Sequence, residues 1–138
     1  MINKTLILFS FILFFVILTG CGKKDKVKTN NNSEVKYTAY YFHPTARCES
    51  CINLENYIKE LIETKYLSSG FRFKEINIEQ KENEHYRKDY NLQFSSVIIE
   101  NPDSKKWKNL DSVWSFTDNK DKFFKYAERE INNFINLK

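Results

Sequence analysis

The 138-residue chain carries 22 Lys and Arg against 18 Asp and Glu, a formal net charge of +4 at neutral pH. These charges are scattered, which excludes the dense basic footprint of a nucleic-acid-binding surface and leaves at most a mild attraction to anionic headgroups. Aromatic residues make up 16% of the chain, with only three Gly and two Pro, a composition that excludes a disordered polymer and suits one small packed domain.

Lys4 gives a short positive start, and Leu6 to Leu18 follow as an almost unbroken apolar run. The run is shorter than the roughly 20 residues that cross a bilayer as a helix, and has the length of a signal-peptide core. It leads into Leu18-Thr19-Gly20-Cys21, which resembles a lipobox: a large aliphatic residue, two small ones and the cysteine that receives a diacylglyceryl group. The resemblance implies a lipoprotein signal peptide over residues 1–20, lipid on Cys21, and an extracytoplasmic protein anchored to a bacterial membrane. The alternative is an uncut membrane anchor with Cys21 incidental. Loss of Lys4 with the signal peptide lowers the net charge by one. The segment 21–34 is almost free of apolar side chains and reads as a tether, able to reach about 40 Å when extended.

From Val35 the character changes, and residues 35–138 are expected to form the domain. Val35 to Phe42 is rich in aromatic and β-branched residues and predicts a central strand. Pro44 ends it, within a loop from His43 to Arg47. Cys51, Leu54, Ile58, Leu61 and Ile62 then recur at helical spacing, predicting an amphipathic helix from Cys48 to the neighbourhood of Gly70. Phe71 to Ile78 predicts a second strand, Glu82 to Tyr90 a short polar helix, and Ser96 to Glu100 a third strand. Asn101 to Ser104 reads as a turn and Lys105 to Leu110 as a returning edge strand. Asp118 is the expected N-cap of a closing helix whose apolar face holds Phe123, Phe124, Ala127, Ile131, Phe134 and Ile135. The order is β-α-β-α-β-β-α, an α/β fold.

With Cys21 carrying lipid, Cys48 and Cys51 are left for chemistry in a compartment where disulfides form. Cys48-Glu49-Ser50-Cys51 follows a strand and opens a helix. That position aims unpaired backbone N–H groups and the positive end of the helix dipole at the first sulfur, favouring its nucleophilic thiolate. Spacing of three residues brings the second sulfur to the same face, close enough to resolve a mixed disulfide. Arg47 adds a cation beside Cys48, and Glu49 opposes it.

Strand, loop, Cys-x-x-Cys and helix, followed by the remaining elements, resemble the thioredoxin-like superfamily over most of the chain after residue 34. The resemblance implies a minimal thioredoxin-like fold, a central mixed sheet flanked by helices. It also implies Cys48 as attacking thiol, Cys51 as resolving thiol, and thiol–disulfide exchange with protein or small thiols, without a dissociable cofactor. The chain departs from the family at several points. The family's first strand and helix are missing. Phe42 stands six residues before Cys48, where thioredoxins place a buried carboxylate. Glu-Ser replaces Gly-Pro between the cysteines, and Arg47 replaces Trp. Ser96 falls where the family has a cis-proline, and its hydroxyl is placed to hydrogen-bond a thiolate; Ser96, Arg47 and His43 are therefore candidate thiol-tuning residues.

The same thiols admit other readings. Cys48 and Cys51 could form an inert structural disulfide. Together with His43 they could bind Cu(I) or Zn(II), making the protein a non-catalytic metal-binding or transporter-associated module. Tyr40, Tyr41 and Phe42 are expected in the core. Trp107, Trp114 and Phe116 are expected to cover the sheet edge or pack under the last helix, with an aromatic partner surface as the alternative. Glu79 to Glu84 and His85 are expected on the solvated surface. A monomer is expected.

Overall fold

A computed structural model describes residues 34–136. The expected signal peptide 1–20, the lipidation site Cys21 and the tether up to Ser33 lie outside these residues. Among the described residues no helix is long and apolar enough to cross a membrane.

Four strands form one mixed sheet: β1 (Tyr37–His43), β2 (Phe71–Asn77), β3 (Ser96–Asn101) and β4 (Lys106–Asn109). Their spatial order is β2-β1-β3-β4. β1 runs parallel to β2 and antiparallel to β3, and β3 runs antiparallel to β4. Three principal helices flank the sheet: α1 (Glu49–Leu61), α2 (His85–Asp89) and α3 (Lys120–Asn136). The mixed α/β architecture and the element order are those expected from the sequence.

β1 occupies the centre because both of its faces carry apolar rings, so it must be covered on both sides. From Thr38 to His43 every residue is buried. Ala39 and Tyr41 face a large core completed by Leu54, Ile58 and Leu61 of α1, Val97 and Ile99 of β3, and Phe123, Ala127 and Ile131 of α3. Tyr40 and Phe42 face the opposite layer, with Ile78, Tyr90, Leu92 and Ile98. Truncating a fully buried residue such as Leu54 to Ala is expected to cost about 2–5 kcal/mol.

α1 continues through one wide π turn (Ile62–Tyr66) and a 3₁₀ turn (Leu67–Ser69) before Gly70 reverses the chain with φ of +83°. The Gly70 carbonyl then accepts the Lys36 and Tyr37 N–H groups at 2.9 and 3.1 Å, setting the start of β1 against that of β2. β1 therefore begins at Tyr37, two residues later than the apolar pattern suggests.

Two further boundaries differ from expectation. The polar helix predicted from Glu82 to Tyr90 divides into a 3₁₀ turn (Lys81–Asn83) and the five-residue α2. Asn83 uses its side-chain amide on the Asn77 carbonyl at 2.9 Å, which holds that segment to the end of β2. The N-cap of α3 is Asn119, one residue after Asp118: its Oδ1 accepts the Lys122 N–H at 3.0 Å and its carbonyl accepts the Phe123 N–H. Trp107 on edge strand β4 is 43% exposed and stands edge-on to Tyr90 at 5.4 Å, while Phe116 packs against Tyr126 of α3.

Candidate functional site

The C-terminal end of β1 delivers the chain to the Cys-x-x-Cys motif. Pro44 turns it off the strand, and the loop that follows is fastened to the end of β2. Thr45 N–H donates to Glu79 Oε2 at 2.9 Å, and Asn77 Nδ2 donates to Thr45 Oγ1 at 3.1 Å. The bonds from Thr45 hold the Glu79 carboxyl below its ordinary range.

Cys48 is the N-cap of α1, with extended backbone (φ −86°, ψ 167°) and its Sγ accepting the Cys51 N–H at 3.2 Å. Sulfur thus stands where a Ser or Asp oxygen ordinarily caps a helix. Cys48 and Cys51 form a disulfide with Cα atoms 5.0 Å apart. The two ends are unequal: Cys48 is exposed, whereas Cys51 is 8% exposed and belongs to the buried stripe of α1. A reagent from solution meets Cys48 first. The pair and the mixed sheet fit a thioredoxin-like arrangement.

Beneath the pair lies a polar layer. The Tyr41 hydroxyl donates to the Cys51 carbonyl at 2.7 Å. Burial, which opposes a phenolate, pushes the Tyr41 pKa up, with Glu55 and Glu75 adding to the effect and Ser95 and Arg47 opposing it. The buried His43 ring stacks on Tyr41 at 5.5 Å, and its Nδ1 donates to the Pro44 carbonyl at 2.8 Å. His43 Nε2 lies 2.8 Å from Glu75 Oε1, yet the carboxylate is off the N–H axis and no hydrogen bond forms. Among the described residues Nε2 is the one buried side-chain polar atom without a hydrogen-bond partner. Arg47 Nη1 pairs with Glu55 Oε2 and stands 3.5 Å from the same Glu75 oxygen.

The residues singled out from sequence are therefore distributed unevenly. Cys48, Cys51 and Arg47 are adjacent, and His43 joins them through Glu75. The guanidinium of Arg47 is engaged by carboxylates. Ser96 pairs with Phe42 in the β1–β3 register and shares its sheet face, opposite that of Tyr41. Its Oγ donates to the Phe94 carbonyl at 3.0 Å. Phe42 is fully buried on that far face, so the carboxylates near the motif come from α1 and β2 instead.

Tyr41, Glu55 and Glu75 escaped sequence reading. Tyr41 lies two residues before His43, on the same face of a strand, and Glu55 lies four after Cys51, on the same face of a helix. Glu75 is opposite Tyr41 across the parallel β1–β2 pair, a relationship no local spacing reveals.

Next to the motif, Trp114 Nε1 donates to the Ser95 carbonyl at 3.1 Å, and Phe94, 61% exposed, stands edge-on to Trp114 at 6.2 Å. Asn53 Nδ2 reaches the Thr117 carbonyl at 3.2 Å, tying the first turns of α1 to the segment that carries Trp114. Among the described residues no three His, Cys, Asp or Glu side chains are grouped to hold a metal ion; His43 faces Pro44 and Glu75. No protein-family model, curated protein or solved structure matches this chain.

Proposed function

We propose that the protein is a membrane-anchored, extracytoplasmic thiol–disulfide oxidoreductase of thioredoxin-like type. The observation that carries this reading is the asymmetry of the pair: an exposed Cys48 capping a helix, joined by a disulfide to a buried Cys51. In the reduced protein the Cys48 thiolate is favoured by the helix N-terminus and by the Cys51 N–H that already points at its sulfur. It attacks a partner disulfide, forming a mixed disulfide and releasing one partner thiolate. The Cys51 thiol, giving up its proton, then attacks Cys48 Sγ, restores the internal disulfide and releases the second partner thiol. The reverse sequence oxidises a partner dithiol. Neither direction requires a dissociable cofactor. Lipid on Cys21 and the tether behind it would confine partners to those near one membrane surface.

Trapping tests the reading. In a Cys51→Ser variant the mixed disulfide has no resolving thiol, so covalent adducts with partner proteins accumulate and disappear on adding a dithiol; Cys48→Ser forms none. If Cys51→Ser accumulates no adducts while reduced wild-type protein retains stoichiometric copper or zinc, the thiols serve metal binding instead.

A further inference from the structure

The redox direction follows from the charges around the pair, on the reading that the pair is redox-active. Arg47 is the cation next to Cys48 in the chain, and a free guanidinium there would stabilise a thiolate. Its Nη1 instead pairs with Glu55, whose side chain is 17% exposed, and lies 3.5 Å from Glu75 Oε1. One cation is thus already matched to two carboxylates. His43 likewise faces Glu75, its Nε2 2.8 Å from that oxygen, so the imidazole too is turned to a carboxylate. Glu49, in the first turn of α1, competes with the Cys48 sulfur for the positive end of the same helix. Opening the disulfide therefore sets a new negative charge beside carboxylates that already hold Arg47, the cation next to Cys48 in the chain.

A pair whose reduced form is stabilised is oxidising, and one whose reduced form is penalised gives its electrons away. We propose that Glu55 and Glu75 are positioning residues that withhold Arg47 from Cys48 and thereby make the protein a reductant of partner disulfides. Two electrons pass from the Cys48–Cys51 dithiol to the partner, whose disulfide becomes two thiols, and the internal disulfide closes. A second dithiol of lower potential must then reduce Cys48–Cys51, itself becoming a disulfide, so the protein belongs between a dithiol donor and an oxidised protein acceptor.

The test is the equilibrium between the full chain, held in detergent, and graded ratios of reduced to oxidised dithiothreitol at neutral pH, read by thiol alkylation and mass. Glu55→Gln and Glu75→Gln should each raise the equilibrium constant for reduction about three- to tenfold, and Arg47→Gln should lower it. Wild-type protein should stay mainly disulfide in an equimolar mixture of reduced and oxidised glutathione. Glu75 is 42% exposed, so its variant keeps the test valid even if Glu55→Gln disturbs the fold. A wild-type pair mostly reduced in that glutathione mixture, or both Gln variants within twofold of wild type, overturns the assignment of direction alone. A pair that no dithiol opens in the folded protein overturns both this assignment and the oxidoreductase reading.

Discussion

The Tyr41 hydroxyl donates a 2.7 Å hydrogen bond to the carbonyl of Cys51, so the central strand grips the helix at the residue that holds the buried half of the disulfide. The phenol is fully buried, and this bond crosses the sheet–helix interface. Tyr41→Phe keeps the ring and removes the bond. The expected loss is about 1 kcal/mol, or a fall of about 4–8 °C in the melting temperature, measured by thermal denaturation of the oxidised protein. Trapping by Cys48 in the Cys51→Ser background should survive the change.

Gly70 is a sharper structural test. Its φ of +83° is one that other residues adopt at a cost, and a Cβ there would come within 2.9 Å of the Glu34 carbonyl oxygen. Backbone, unlike a side-chain tip, does not swing aside. Gly70→Ala should destabilise the domain by about 1–2 kcal/mol, read as a lower urea midpoint with an unchanged slope.

Alkaline pH should weaken the second layer of the fold. Burial and the neighbouring Glu100 raise the Tyr40 pKa to about 12, and the Tyr90 hydroxyl, bonded to the same carboxylate, is also raised. Both phenols must ionise on unfolding at a pH where the native state keeps them neutral. Their contribution is complete below the ordinary phenol value of about 10 and is lost as pH rises through it toward about 12. Thermal midpoints should therefore fall between about pH 9 and about pH 11, and the fall should be shallower in Tyr40→Phe.

Phe94 offers a way to separate partner contact from thiol chemistry. Its ring is 61% exposed beside Trp114, whose indole is fixed on the Ser95 carbonyl. If this aromatic pair meets protein partners, Phe94→Ala should slow exchange with a folded disulfide protein about three- to tenfold, as expected for losing about 1 kcal/mol of apolar contact. Exchange with dithiothreitol should not change. Parallel rate measurements with the two reagents check this.

The fold was legible where periodicity is strong. α1 and α3 announce themselves by Leu54, Ile58, Phe123 and Ile131 at helical spacing, and β1 by an unbroken run of rings. The breaks were hidden because they arise from tertiary bonds: Asn83 reaching back to Asn77, and Gly70 accepting two N–H groups from the start of β1. At the site, Cys48 and Cys51 were legible because capping and spacing are local. The partners of Arg47 were not, since Glu55 stands eight residues away and Glu75 on another strand. Ser96 illustrates the limit of alignment by segment: a position beside the motif in sequence logic turns to the opposite sheet face once the register with Phe42 is set.

The most direct test of the central claim is catalysis of disulfide exchange by the intact chain. Reduction of a protein disulfide by dithiothreitol should be accelerated by catalytic amounts of wild-type protein, with rate proportional to its concentration, and Cys48→Ser should abolish the acceleration. If wild type and Cys48→Ser give the same rate as dithiothreitol alone, the Cys48–Cys51 pair is not a redox centre and the account fails.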